Sequence, residues 1–197
     1  MPVKPVLLLI ATFALGALSL FAAPPDRYTS WLDKDVHWII TEAESAAFKQ
    51  LDKDEYRDRF ISQFWDRRDP IPETPENEYK EEHYRRIAYS NAQFASKIDG
   101  SLTDRGAVYI RYGPPDRIDH PRFRPAKSMI WFFRQFGNSG QEKSLEFVDT
   151  CDCGEYRLVT ERSLIETPPP DPTLRQLLKQ SEDLGSAEGS SPPPFRQ

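Results

Sequence analysis

The chain has 197 residues, of which 29% are charged and 12% aromatic, and its formal net charge is −5. Acidic balance with interspersed signs excludes a general nucleic-acid binder, which needs a basic face to displace counterions. The aromatic content excludes a chain that stays unfolded for want of apolar surface.

Met1 to Lys4 is a short basic start, and Val6 to Phe21 is an almost unbroken apolar run. A basic n-region followed by an apolar h-region is the pattern of a secretory signal peptide, here residues 1–22, with Leu20-Phe21-Ala22 as the cleavage site. The run also approaches the roughly 18–20 residues that span a bilayer, so an uncleaved N-terminal anchor is the alternative. No Cys lies near residue 20, which excludes a bacterial lipoprotein anchor. These features predict a periplasmic or secreted protein that meets the membrane only through that segment, if it stays uncleaved. About 170 residues then remain, enough for one domain with its own core. Residues 23–165 are expected to form it and residues 166–197 a Pro-, Ser- and Gly-rich flexible tail.

Ala22 to Asp35 reads as an irregular lead-in, with Trp31 the tryptophan expected to be exposed. Val36 to Ile40 is a short strand candidate. Thr41 with Glu44 is a capping-box signal that predicts a helix over about 41–51. Asp52 with Glu55 repeats the signature before a helix over about 53–68, where Tyr56, Phe60, Ile61, Phe64 and Trp65 share one stripe. Asp69-Pro70-Ile71-Pro72 ends it. Thr74 as N-cap and Pro75 at the first helical position predict a third helix over about 75–96, stopped at Asp99-Gly100.

Ala107 to Tyr112 alternates and reads as a strand closed by Gly113-Pro114-Pro115-Asp116. Met129 to Phe133, Leu145 to Val148 and Tyr156 to Thr160 are further strands, with Gly137-Asn138-Ser139-Gly140 turning between two of them. Helices first and strands second predict an α+β domain with a small antiparallel sheet over about 107–160. In the tail, Asp171-Pro172 opens one short amphipathic helix.

Two polar clusters offer candidate acid–base and anion-binding residues. In the first, Asp69 and Glu78 flank a proline-stiffened loop and are candidate acid–base carboxylates. The competing reading has Arg68, Asn77 and these carboxylates holding the loop through forks and caps. The second is Thr103-Asp104-Arg105-Gly106. Asp104 is a third candidate carboxylate, and Arg105 can grip an anion or a carboxylate bidentately. Neither cluster has a nucleophile or ligand set beside it, and the glycine spacing is not that of a phosphate loop. No cofactor motif is present.

Cys151-Asp152-Cys153 leaves three readings open. It can be a disulfide that stiffens the turn before Gly154, a redox-active disulfide, or a pair of soft-metal ligands acting with His37, His83 or His120. His37 and His83 fall on apolar faces, whereas His120 lies in a loop and is expected in solvent.

An ordered series of motifs then resembles a known family. Phe60 to Trp65, Arg68-Asp69-Pro70, Thr74-Pro75-x-Asn77-Glu78, Arg85-Arg86-Ile87, Thr103-Asp104-Arg105-Gly106-x-Val108-Tyr109-Ile110 and Tyr112-Gly113-Pro114-Pro115-Asp116 together resemble the GWxTD domain family, over about residues 28 to 160. The motif that names the family stands here as Gly100-Ser101-Leu102-Thr103-Asp104, so its tryptophan is absent. The resemblance implies an exported bacterial domain, and the family has no established activity and supplies no catalytic residues.

Three functions follow as expectations. The first is a non-catalytic binding or structural module of the envelope, with an envelope protein or a cell-wall component as partner. The second is an envelope hydrolase or transferase, which requires Asp69, Glu78 and Asp104 to converge on a cleft. The third is a thiol redox or metal protein centred on Cys151 and Cys153.

Overall fold

Asp26 starts the first helix by accepting hydrogen bonds from the Tyr28 and Thr29 N–H groups. That helix, α1 (Arg27–Ser30), runs on into a π-helical turn over Trp31–Asp35. The computed structural model describes residues 26–137 and 139–167, so the expected leader, residues 168–197 of the expected tail with the helix predicted from Asp171-Pro172, and Asn138 of the predicted turn lie outside the described residues.

Val36 to Ile40 is a turn that buries Val36, Ile39 and Ile40, and not the expected strand: the Ile39 and Ile40 N–H groups both donate to the Val36 carbonyl. Helix α2 (Glu42–Lys49) follows from a complete capping box, in which Thr41 Oγ1 accepts from the Glu44 N–H and the Glu44 carboxylate accepts from the Thr41 N–H. Helix α3 (Asp54–Asp66) begins after Lys53 without a side-chain cap, so the second predicted box does not form. Its stripe buries Phe64 and Trp65. Helix α4 (Glu78–Phe94) starts three residues later than predicted, because Asn77, not Thr74, caps it by accepting from the Lys80 N–H. The Thr74 hydroxyl instead faces the Ile71 and Glu76 carbonyls within a run of turns.

Residues 107–112 are helix, not strand. Helix α5 (Asp104–Tyr112) is buried along most of its length, with Gly106, Ala107, Val108 and Ile110 all enclosed. Residues 107–112 make fewer than two helical turns, and Val108, Ile110 and Tyr112 recur at every second position, so the run is too short for its period to tell helix from strand. The sheet therefore begins at β1 (Arg117–Asp119) and continues through β2 (Lys127–Phe133), β3 (Lys143–Asp149) and β4 (Arg157–Leu158). The strands are antiparallel in the order β1-β2-β3-β4, with Trp131 opposite Leu145 and Phe147 opposite Leu158. Helix α6 (Ser163–Glu166) closes the described chain. The α+β class holds, with helices leading and the antiparallel sheet after them.

Two apolar clusters stabilise this arrangement. One gathers Trp31, Val36, Ile40, Phe48, Phe64 and Trp65 among the leading helices. Trp31 is 5% exposed there, which corrects its expected place in solvent. The other sets Ala107 and Val108 against Trp131, Phe133, Leu145, Phe147 and Leu158 of the sheet. Helix α5 serves both, because Ile110 points into the first cluster. Among the described residues no helix is long and apolar enough to cross a membrane.

Candidate functional site

The segment that leads into α5 is packed backbone against backbone. A Cβ on Gly100 would lie 2.0 Å from the Ser90 carbonyl oxygen of α4, and one on Gly106 would lie 2.2 Å from the Gly100 carbonyl oxygen. Only glycine permits that approach. Thr103 caps α5 through Oγ1, which accepts from the Gly106 N–H at 3.1 Å and donates to the Gly100 carbonyl at 2.7 Å. The Ser101 N–H donates to Asn91 Oδ1 at 2.8 Å, and the Trp38 indole donates to the Ser101 carbonyl at 2.7 Å.

Asp104 is 5% exposed, with both carboxylate oxygens turned into the protein. Oδ2 accepts from the Leu158 N–H at 2.8 Å and from Arg162 at 3.2 Å, while Arg157 stands 3.5 Å from Oδ1. The carboxylate thus joins the N-terminus of α5 to the edge strand β4. The Arg105 guanidinium carbon sits against two rings, 4.9 Å from the centroid of Phe94 and 4.5 Å from that of Tyr156. It donates to the Gly154 carbonyl at 3.0 Å. Burial pulls the guanidinium pKa below its ordinary value, with Tyr156 and Asp149 opposing, though it stays far above any physiological pH.

Gly154 ends the cysteine loop, whose centre is a residue the sequence reading passed over. Asp149, at the end of β3, is 3% exposed, and its carboxylate accepts from the Cys153 N–H at 3.2 Å and the Gly154 N–H at 2.8 Å. Burial pushes this carboxyl up, but the backbone donors of Gly154, Cys153 and Cys151 outweigh it and hold it below the usual carboxylate range. The Cys151 and Cys153 sulfurs are bonded to each other. Asp152 and Gly154 adopt left-handed backbone, with φ of 53° and 83°. An Asp just before a Thr-Cys-Asp-Cys-Gly turn is where an Asx-type clasp forms, and that was the available signal.

The sequence model of the GWxTD domain matches residues 22–166, which takes in both the α5 cap and the cysteine loop. The chain belongs to the GWxTD domain family. Neither a curated protein nor a solved structure matches it. In this GWxTD domain the motif's glycine, threonine and aspartate are Gly100, Thr103 and Asp104, and each has a packing or backbone-bonding task. The motif tryptophan is replaced by Ser101, which is 3% exposed, and an indole from elsewhere, Trp38, bonds its carbonyl.

The remaining candidates of the GWxTD domain sit around the α3–α4 connection. Arg68 forks onto Glu44, at 3.0 Å to Oε1 and 2.7 Å to Oε2, and also donates to the Phe64 and Ile39 carbonyls. Its guanidinium carbon lies 3.6 Å from the Phe64 ring centroid. Asn77 caps α4 and, through its amide nitrogen, donates to the Trp65 carbonyl at 2.8 Å. Asp69 accepts from the Ile71 N–H, and Glu78 accepts from the Thr74 hydroxyl, so the two carboxylates take separate partners.

Glu78 lines a cleft of about 270 Å³ with Pro70, His83, Arg86 and Ile110. His83 is buried there and stands 2.6 Å from the Asp35 carbonyl through Nε2, which carries the proton toward that acceptor. Burial lowers its pKa to about 4, so the ring is neutral at ordinary pH. His37 and His120 are exposed. Two wider clefts, of about 580 and 610 Å³, are bordered by Trp38, Lys49 and Arg111 and by Asp116, Phe132 and Arg134. Neither is lined by Asp69, Glu78, Asp104 or Arg105. Arg68, Asp69, Asn77 and Glu78 thus lie at the α3–α4 connection and Asp104 and Arg105 at the start of α5, and none of these three clefts is lined by all six.

Proposed function

We propose that this chain is an exported, non-catalytic binding or structural module of the bacterial envelope, acting on an envelope protein or a cell-wall component. The observation that carries the reading is that neighbouring groups of the chain take up the Asp104 carboxylate and enclose Arg105. A general acid or base needs a lone pair or proton aimed at a substrate. Both Asp104 oxygens are occupied by Leu158, Arg157 and Arg162, and Arg105 is enclosed by rings and the Gly154 carbonyl. Residues that a family motif spends on joining a helix to a sheet favour a scaffold over a reaction centre. The basic start and apolar run at the N-terminus support export, in the periplasm or beyond it.

Affinity capture from envelope extracts, with the full mature chain and with a form ending at residue 166, tests this reading. Recovery of one saturable partner or of cell-wall fragments by the folded domain supports it. Turnover of an envelope glycan or peptide that Asp69→Asn, Glu78→Gln or Asp104→Asn abolishes without unfolding would overturn it.

A further inference from the structure

The cysteine loop brings three ligand atoms together. One carboxylate oxygen of Asp149 and the Sγ atoms of Cys151 and Cys153 all lie within 4.8 Å of one another, with Cys151 Sγ 3.3 Å from Asp149 Oδ1. The carboxylate accepts one hydrogen bond on each oxygen, from the Cys153 and Gly154 N–H groups, which leaves lone pairs for a further partner. Gly154 is in turn tied to Arg105 through its carbonyl, so the loop is fastened to the α5 cap. Cys151 is exposed and Cys153 half-buried, which gives an ion a way in. None of the three histidines belongs to this group.

We propose that, once its disulfide is reduced, this loop binds one borderline-soft divalent cation of the zinc class through Cys151, Cys153 and Asp149, with the fourth position open to water. Two thiolates and one carboxylate in a turn form a mixed donor set of the kind zinc takes tetrahedrally, whereas purely soft ions favour sites without a carboxylate. The redox step is a thiol–disulfide exchange. A dithiol reductant gives two electrons and two protons to the Cys151–Cys153 bond and leaves as its own cyclic disulfide, so that two thiols form. Cation binding then releases those two protons to solvent as the Sγ atoms coordinate. Oxidation by a disulfide donor closes the Cys151–Cys153 bond again and expels the ion.

The test uses the mature chain, reduced with a dithiol that is removed under anaerobic conditions and then titrated with Co²⁺ as the optical probe and Zn²⁺ as competitor. One Co²⁺ per chain, a thiolate-to-cobalt charge-transfer band, displacement by Zn²⁺ and proton release on binding are expected. The oxidised protein and the Cys151→Ser/Cys153→Ser variant should show no such band, and Asp149→Asn should bind at least about tenfold more weakly. Absence of the band in the reduced wild type would overturn the proposal, as would equal binding by the oxidised protein or the serine variant. A folded Asp149→Asn protein that binds as tightly as wild type would reduce the site to a two-thiol chelate and also overturn it. If Asp149→Asn does not fold, the wild type against the serine variant, which keeps Asp149, decides.

Discussion

Replacing Arg68 with methionine removes the cation of the most enclosed ion pair described in the molecule. The Arg68 and Glu44 side chains are 5% and 12% exposed. The substitution deletes a two-pronged fork and the donors to the Phe64 and Ile39 carbonyls, but keeps an apolar stem over the Phe64 ring. Breaking a buried pair from one side costs about 3–5 kcal/mol. Arg67 and the Thr41 N–H still serve Glu44, which places Arg68→Met near about 3 kcal/mol.

In a double-mutant cycle with Glu44→Gln, a coupling of about 1.5–2 kcal/mol is expected. The pH dependence gives a second reading. Burial raises the Glu44 carboxyl, but Arg68, the Thr41 N–H and Arg67 outweigh it and bring it from 4.5 to about 2. A folded-state pKa below the unfolded value contributes stability that is present above about 4.5 and lost as pH falls toward 2. Arg68→Met should flatten that acid limb. Urea unfolding of the four proteins of the cycle across this range measures both effects. A loss under about 1 kcal/mol for Arg68→Met, with coupling near zero, would refute the buried-fork reasoning.

His83 gives a separate window. Its pKa falls from 6.5 to about 4 on folding, so stability is full above about 6.5 and is lost as pH drops toward 4, by up to about 3 kcal/mol. His83→Gln, which keeps a donor for the Asp35 carbonyl, should remove that slope in urea titrations; an unchanged slope would assign it to another group. Gly100→Ala forces a Cβ onto the Ser90 carbonyl and should cost more than about 3 kcal/mol. A thermal melt that matches wild type would contradict the close approach of α4 and the α5 cap.

The sequence discloses most of this fold where the stabilising contact is local. The Thr41–Glu44 box spans four residues, and the stripe of Phe60, Phe64 and Trp65 repeats within one helix, so both are legible without tertiary information. Helix α5 is not, because its neighbours α4, the Trp31 cluster and the sheet supply its burial from distant parts of the chain. The same distance hides the site. Asp104 finds its partners at Leu158 and Arg162, and Arg105 finds its second ring at Tyr156, positions that no spacing within the motif indicates. Thr103 is the exception, since its capping role is readable from its place before Asp104 and Gly106 once a helix is assumed there.

The most direct measurement on the family motif is Asp104→Ala in residues 23–197, with unfolding free energy and partner capture determined on the same preparation. The substitution leaves the Leu158 N–H buried without an acceptor and should cost about 2–3 kcal/mol, with capture from envelope extracts per folded molecule unchanged. Full stability combined with lost capture, or with lost turnover of an envelope substrate, would contradict a structural role for the motif aspartate.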